Sequence, residues 1–401
     1  MQWKTMAGLV AGWIMAGSVQ GAEVFDWPQF RGANRDGISK ETQWNPRALQ
    51  NGAKLLWTAQ LGKGYSAVAV KGDRLFTMGN KDNQDRVYAL SLKDGKVLWT
   101  HSYPCDAGSY PGTRATPATD GSLVYTLSRE GLLLCLDAGT GAVKWSKDLM
   151  KEFDAKPLGW GFAGSPVIKG DKILVNAGEY GVVLNRNTGA KVWASPGGVA
   201  GYAAPVEFTL GGKECLALFS SKGLYGVDLA TGTKLWSYPW HTSYDVNAAD
   251  PIVSDGRIFI SSGYNSAGAV LDVRGPEPKV VWNNKAMKNH FSSCVLLNGF
   301  LYGFDGNAGN GTLKCVDFNT GVEKWSQKIG FGSLCVAAGH LIALNEKGDL
   351  FIIKASPEKY EAVSVARKVL EPTCWTAPVL CRGVVHCRNH EGVLVAVDLG
   401  K

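Results

Sequence analysis

The chain has 401 residues, 50 of them Gly and 14 of them Trp, with 45% hydrophobic and 19% charged residues. So apolar a composition excludes a disordered chain, and the shortage of long helical patterns excludes a helical bundle. The formal net charge of +7 is scattered along the chain, which leaves no electrostatic footprint for nucleic acid or a membrane surface.

Residues 1–21 read as a signal peptide: Lys4 opens it, Met6 to Val19 form a short apolar run, and Val19-Gln20-Gly21 gives the small-residue cleavage pattern. The run is too short and too rich in Gly and Ala to span a membrane, and no other stretch is long enough. The mature chain is expected to be exported, periplasmic or secreted, without a transmembrane segment. The first Cys is Cys105, so no lipid-bearing N-terminal Cys is expected. Residues 22–53 form an entry segment before the first strand, "GAKLLWTAQL", which carries Trp57.

From there one hairpin recurs. Gly95, Gly141, Gly189, Gly232 and Gly321 each stand four residues before Trp99, Trp145, Trp193, Trp236 and Trp325, and Trp282 continues the series after a variant turn, Gly275-Pro276-Glu277-Pro278. The Trp residues lie 42 to 48 positions apart. A period of that size, all strand and turn, is a propeller blade. Each period holds four strands. The first opens with small residues and often Pro ("TPAT", "SPVI", "APVE", "DPIV", "APVL"), and an Asp/Asn-x-Thr-Gly turn leads to the fourth, Trp-bearing strand. Small residues suit innermost strands crowded at an axis, and a Trp on the outermost strand fills the wide gap between sheets.

Counting gives eight blades in a single domain, residues 54–401. The seventh has lost its Trp and its Thr-Gly turn, and the last segment, from Thr376, ends after three strands. Its missing strand is the one carrying Trp57, so the chain ends are expected to share the last sheet and remove the open edges. Cys135 and Cys315 fall in a slot otherwise held by Ala89, Gly226 and Ala396, and Cys294 and Cys335 in one held by Pro166, Pro205, Pro251 and Pro378. They read as small buried residues.

The Asp/Asn-x-Thr-Gly-x-x-x-Trp repeat resembles the PQQ-type propeller repeat of quinoprotein alcohol dehydrogenases and of the propeller lipoprotein of the outer-membrane assembly complex. The stretch "DWPQFRGANRDGIS" is similar to the entry segment of PQQ-binding-like propellers of bacterial exported proteins. The resemblance implies an all-β, eight-bladed PQQ-type propeller. In quinoprotein members it implies PQQ and Ca2+ near the axis, yet this chain has no adjacent Cys pair and no matching Glu, Asn and Asp ligand set.

The residues just before each first strand should form the axial rim: Tyr65, Arg114, Trp160 and Phe162, Tyr202, Asn247, His290 and Phe291, Phe331, and Trp375. Aromatic faces with a basic side chain suit a planar anionic ligand such as PQQ, although large residues can equally plug a channel mouth. Arg388 and Asn389 precede a tight turn and are placed to reach the same rim, or to lie in solvent. Asp245, Asn247 and Asp250 offer hard oxygen ligands of the kind Ca2+ prefers, but capped loops use the same residues. His386, Cys387 and His390 look like a zinc cluster, except that His386 matches Phe259 and Tyr302 in the repeat and so reads as a packing residue. No hydrolase elbow, phosphate loop or base-stacking motif is present. The sequence therefore points to a monomeric binding scaffold for an envelope protein or a small ligand at the axial mouth. The alternative is a PQQ- and Ca2+-dependent dehydrogenase of alcohols or sugars.

Overall fold

The computed structural model describes residues 25–400, so the signal peptide expected at residues 1–21 lies outside the described residues. Each 42- to 48-residue period becomes one antiparallel four-stranded sheet, and eight such sheets form the blades of a propeller, neighbouring blades meeting along their inner strands. Blade 1 runs Ala69–Lys71, Arg74–Lys81, Gln84–Ser91 and Val97–Pro104 from axis to rim. Blades 2 to 6 repeat this order, with inner strands starting at Ala118, Val167, Val206, Ile252 and Val295. Among the described residues no helix is long and apolar enough to cross a membrane.

The Trp does more than fill the gap between blades. Its indole N–H donates to the carbonyl just after the turn Asp, Asn or Ser of the next blade: Trp57 to Leu92, Trp99 to Ala138, Trp145 to Arg186, Trp193 to Leu229 and Trp282 to Phe318, at 2.8–3.1 Å. The turn Gly is fixed by the same contact. Gly95 has φ +69°, and a Cβ there would stand 2.5 Å from the Trp57 ring. Gly141, Gly189, Gly232 and Gly321 meet the preceding blade's Trp in the same way. The motif is thus a weld between blades as well as a turn. Blade 5, with its variant turn, leaves the Trp236 indole N–H without a partner among the described residues.

Small residues lie opposite several of the Trp residues within the sheet. Ala89, Cys135, Gly226, Cys315 and Ala396 pair with Trp99, Trp145, Trp236, Trp325 and Trp57. At Gly226 a Cβ would stand 2.1 Å from the Trp236 ring. All nine Cys are buried free thiols.

Blade 8 closes the ring. Its inner three strands, Val379–Cys381, Val384–Arg388 and Val393–Asp398, come from the C-terminal end, and its outer strand, Lys54–Gln60, comes from the N-terminal side. Trp57 pairs with Ala396 and Gln60 with Val393.

The segment before that strand crosses the axis and touches every blade. Trp27 bridges Val70 of blade 1, the Pro28 carbonyl accepts from Thr119 of blade 2, and Gln29 accepts from Ile168 of blade 3. Arg35 reaches the Pro205 carbonyl of blade 4 and the Asp250 carboxylate of blade 5. Arg31 donates to the Cys294 carbonyl of blade 6, 2.8 Å away, and Ile38–Ser39 pairs in parallel with Val336–Ala337 of blade 7. Glu41 accepts from the backbone of Arg382 and Gly383 in blade 8, both at 2.7 Å. The chain then fills the gap left by the missing Trp of blade 7. Ser364 occupies that Trp slot and bonds the Pro46 carbonyl, Asn45 N–H takes the Leu399 carbonyl that an indole would have taken, and Trp44 and Leu49 are buried alongside.

Candidate functional site

Crossing the axis on one side, the N-terminal segment turns a channel into a chamber. Trp27, Phe30, Arg31 and Gly37 form the floor of a cavity of about 810 Å³. Its walls are the small residues of the inner strands and the residues just before them, among them Ala67, Thr116, Ser165, Ala204, Ser293, Ser333 and Ala377. Only small side chains leave room where eight strands converge, so the sequence signature of the innermost strand is also what hollows the site.

The mouth carries an aromatic collar. Tyr65 is stacked between His390 and Trp375, with centroids 4.7 and 5.4 Å away. Trp375 meets Phe291, Phe291 meets His290, and His290 meets Tyr264 at 4.9 Å. Tyr264 meets Tyr244, Tyr244 meets Trp160, and Trp160 meets Tyr202. Arg114 lies 5.8 Å above the Tyr65 ring, its guanidinium held by the carbonyls of Gly112, Ser109 and Tyr110. Burial pushes the Tyr65 and Tyr202 hydroxyls up to about 12 and the His290 imidazole down to about 4. Tyr65, Tyr202 and His290 are therefore uncharged at neutral pH, and Arg114 brings a positive charge to the mouth.

Of the rim residues expected from sequence, Tyr65, Arg114, Trp160, Tyr202, His290, Phe291 and Trp375 line the chamber. Phe162 and Phe331 are instead core residues, 1% and 0% exposed. Asn247 is also buried. Its amide donates to the carbonyls of Ser220, Ser221 and Trp240, and its oxygen accepts from Thr242 and Ser262.

Arg388 and Asn389 are neither at the rim nor in solvent. Arg388 is wholly buried across the blade 8–blade 1 seam and donates to Ser66, Thr77, Met78 and Gly62, while Asn389 holds Glu371 and Val393. The three oxygen ligands suggested for Ca2+ do not converge either. Asp245 is exposed, Asn247 is saturated, and Asp250 spends one oxygen on Ala204 N–H and the other on Arg35. No cluster of three or more His, Cys, Asp or Glu forms among the described residues. His386 packs against Trp57 with centroids 5.6 Å apart, whereas His390 stacks in the collar, so the suggested zinc set is split.

Sequence reading missed Tyr110, Tyr244, Tyr264 and His390. Two kinds of loop build this face: those between blades, and those joining the second and third strands within a blade. The sequence reading of the rim rested on the residues before each inner strand and, among the second-to-third-strand loops, on Arg388 and Asn389 alone, with His390 read as a zinc candidate instead. Tyr264 and His390 come from second-to-third-strand loops, while Tyr110 and Tyr244 sit earlier in the inter-blade loops at positive φ.

Fold and chamber together define the class, an eight-bladed propeller of PQQ type. The chain belongs to the family described as outer membrane protein assembly factor BamB, whose model matches residues 83–327. It is 24% identical over 318 residues to the BamB of Yersinia pestis, covering 74% of this chain and 77% of that one. It is also 25% identical over 179 residues to a quinoprotein ethanol dehydrogenase of Pseudomonas putida, covering 38% of this chain and 28% of the enzyme. Among solved structures, the quinohemoprotein alcohol dehydrogenase of Comamonas testosteroni superposes with a TM-score of 0.73 at 14% identity, over 94% of this chain and 81% of that one. That likeness is one of fold.

Proposed function

We propose that this chain is an exported binding propeller of the cell envelope that takes its ligand in the axial chamber. One observation carries the reading: a cavity of about 810 Å³, floored by the chain's own N-terminal segment and entered through a collar of aromatic rings. Concave, largely apolar pockets with a few convergent polar groups are the usual form of a ligand site. The envelope setting is supported by the resemblance to BamB proteins, whose name describes outer membrane protein assembly.

The second reading, a quinone-dependent dehydrogenase, is favoured by the match to a quinoprotein ethanol dehydrogenase. The residues present fit half of such a site. Flat faces with Arg114 at the mouth suit a planar anion, but the oxygen donors near the axis do not fit Ca2+. Asp250 is committed to Arg35 and Asn247 to the backbone. No catalytic step through PQQ or Ca2+ follows from such a donor set, and binding without turnover is the better conclusion.

Calorimetric titration of PQQ, with and without Ca2+, followed by dye reduction across alcohols and sugars, separates the two. The expected result is no dye reduction and no Ca2+-dependent gain in affinity. Tight Ca2+-dependent binding with turnover would establish the enzyme instead.

A further inference from the structure

At the floor, where Arg31 and Asp250 line the chamber and Arg35 stands behind them, two guanidinium groups share one carboxylate. Arg31 and Arg35, 8% and 9% exposed, lie beside a single buried carboxylate, Asp250. That carboxylate belongs to Arg35, 3.2 Å away, and its other oxygen accepts from Ala204 N–H. Arg31 has only carbonyls as protein partners. Its Nε donates to Arg35 O, and its Nη2 to Asp36 O and Cys294 O. Among the described residues Nη1 has no acceptor, and it is not one of the polar atoms sealed in the interior. Arg31 is one of the residues lining the chamber.

The nearby acids do not neutralise it. Asp36 turns one oxygen to Ile38 N–H and makes no ion pair with Arg31, and Glu207 is engaged by Lys169 at 2.9 Å. At the mouth, Arg114 likewise has only carbonyl partners, while Glu346 accepts from Gly309 N–H. A guanidinium in a poorly solvated site, with one fork nitrogen free, is a receptor for an oxyanion.

We propose that Arg31 anchors the carboxylate of a ligand whose flat, apolar body lies in the chamber between floor and aromatic collar. The anion-recognising group would then come from the N-terminal segment rather than from any blade. This assignment rests on the chamber being a ligand site, and the probes are chosen to report the two separately. They are 2-naphthoate and its uncharged isostere 2-naphthamide, titrated into the full chain with the quenching of Trp fluorescence as signal.

The wild-type protein is expected to bind the carboxylate about tenfold more tightly than the amide, the usual gain from a charge-assisted hydrogen bond in a sheltered site. Arg31→Gln should abolish that preference, and Arg114→Gln should keep most of it. Equal binding of the two probes by the wild-type protein overturns the anchor and leaves the chamber standing. Binding of neither overturns both. Loss of the preference in Arg114→Gln, or its survival in Arg31→Gln, overturns the assignment to Arg31. Should Arg31→Gln fail to fold, the wild-type comparison and Arg114→Gln still decide.

Discussion

A single indole N–H shows how the repeat is held together. Trp282 and Trp236 are equivalent in the repeat and similarly buried, at 8% and 5% exposure, yet Trp282 donates to Phe318 O while Trp236 has no acceptor among the described residues. Substitution by Phe keeps most of the apolar contact and removes the donor. Trp282→Phe should therefore cost about 1 kcal/mol more than Trp236→Phe, the net worth of one buried hydrogen bond, read from their urea midpoints. Equal losses would mean that the weld is packing alone. His386 offers a second test. It fills the slot held by Phe76 and Phe259 in other blades, with no charged neighbour, and burial pushes its imidazole down to about 4 from 6.5. The unfolded chain accordingly binds a proton that the folded chain refuses. Stability is whole above pH 6.5 and falls as pH drops through the window towards 4, by up to about 3 kcal/mol. His290, lowered to about 4 as well, adds its own share. Denaturation midpoints at pH 7 and pH 4 should therefore differ less in His386→Phe than in the wild type; an unchanged slope refutes the assignment. His386 was readable because the repeat aligns it with Phe259. Arg388 was not, because its four partners lie 310 to 326 residues away in the chain, and the repeat gives the blades but not the side-chain bonds across the seam between the last and the first.

At the scale of one element, the N-terminal segment was recognisable as an entry segment, but its path was hidden. Each of its contacts falls on a different blade, so no periodicity in its own residues records the route. Asp250 illustrates the consequence: its side chain suggests a cation ligand until Arg35, 215 residues earlier, is seen to hold it. The side chains of this pair are 6% and 2% exposed, and removing one partner leaves the other charged and unsolvated. Asp250→Ala should cost about 3–5 kcal/mol, and the double substitution Arg35→Met, Asp250→Ala should recover a large part of it. Chemical denaturation of the four proteins in the cycle gives the coupling. A coupling near zero would show that the segment is held by its other contacts, those of Gln29, Arg31 and Glu41 among them. The collar belongs to this scale too. Inner strands announce themselves by small residues and Pro, whereas the loops that carry Tyr244 and Tyr264 have no fixed length, so these two could not be read in advance.

For the whole molecule the decisive feature is that the last sheet is completed from the other end of the chain. The eight-blade count and the shared blade could both be read from the sequence, because a Trp-bearing strand was surplus at one end and missing at the other. Physically, the strand Lys54–Gln60 covers the edge of Val393–Asp398 and carries Trp57, whose indole welds blade 8 to the blade 1 turn at Leu92. A chain beginning at Leu61 would leave that edge unpaired and lose both the weld and the floor. Exposed strand edges recruit other chains, so the truncated protein should self-associate, as read by light scattering after size exclusion, and melt well below the full chain. A synthetic peptide of residues 25–60 added in trans should restore the association state and melting of the full chain, because it supplies edge strand, Trp57 and axial segment together. A truncated protein that stays monomeric with an unchanged melting temperature would mean that seven complete blades and a three-stranded eighth suffice. The closure would then have to be explained by the chamber it seals rather than by the stability it confers.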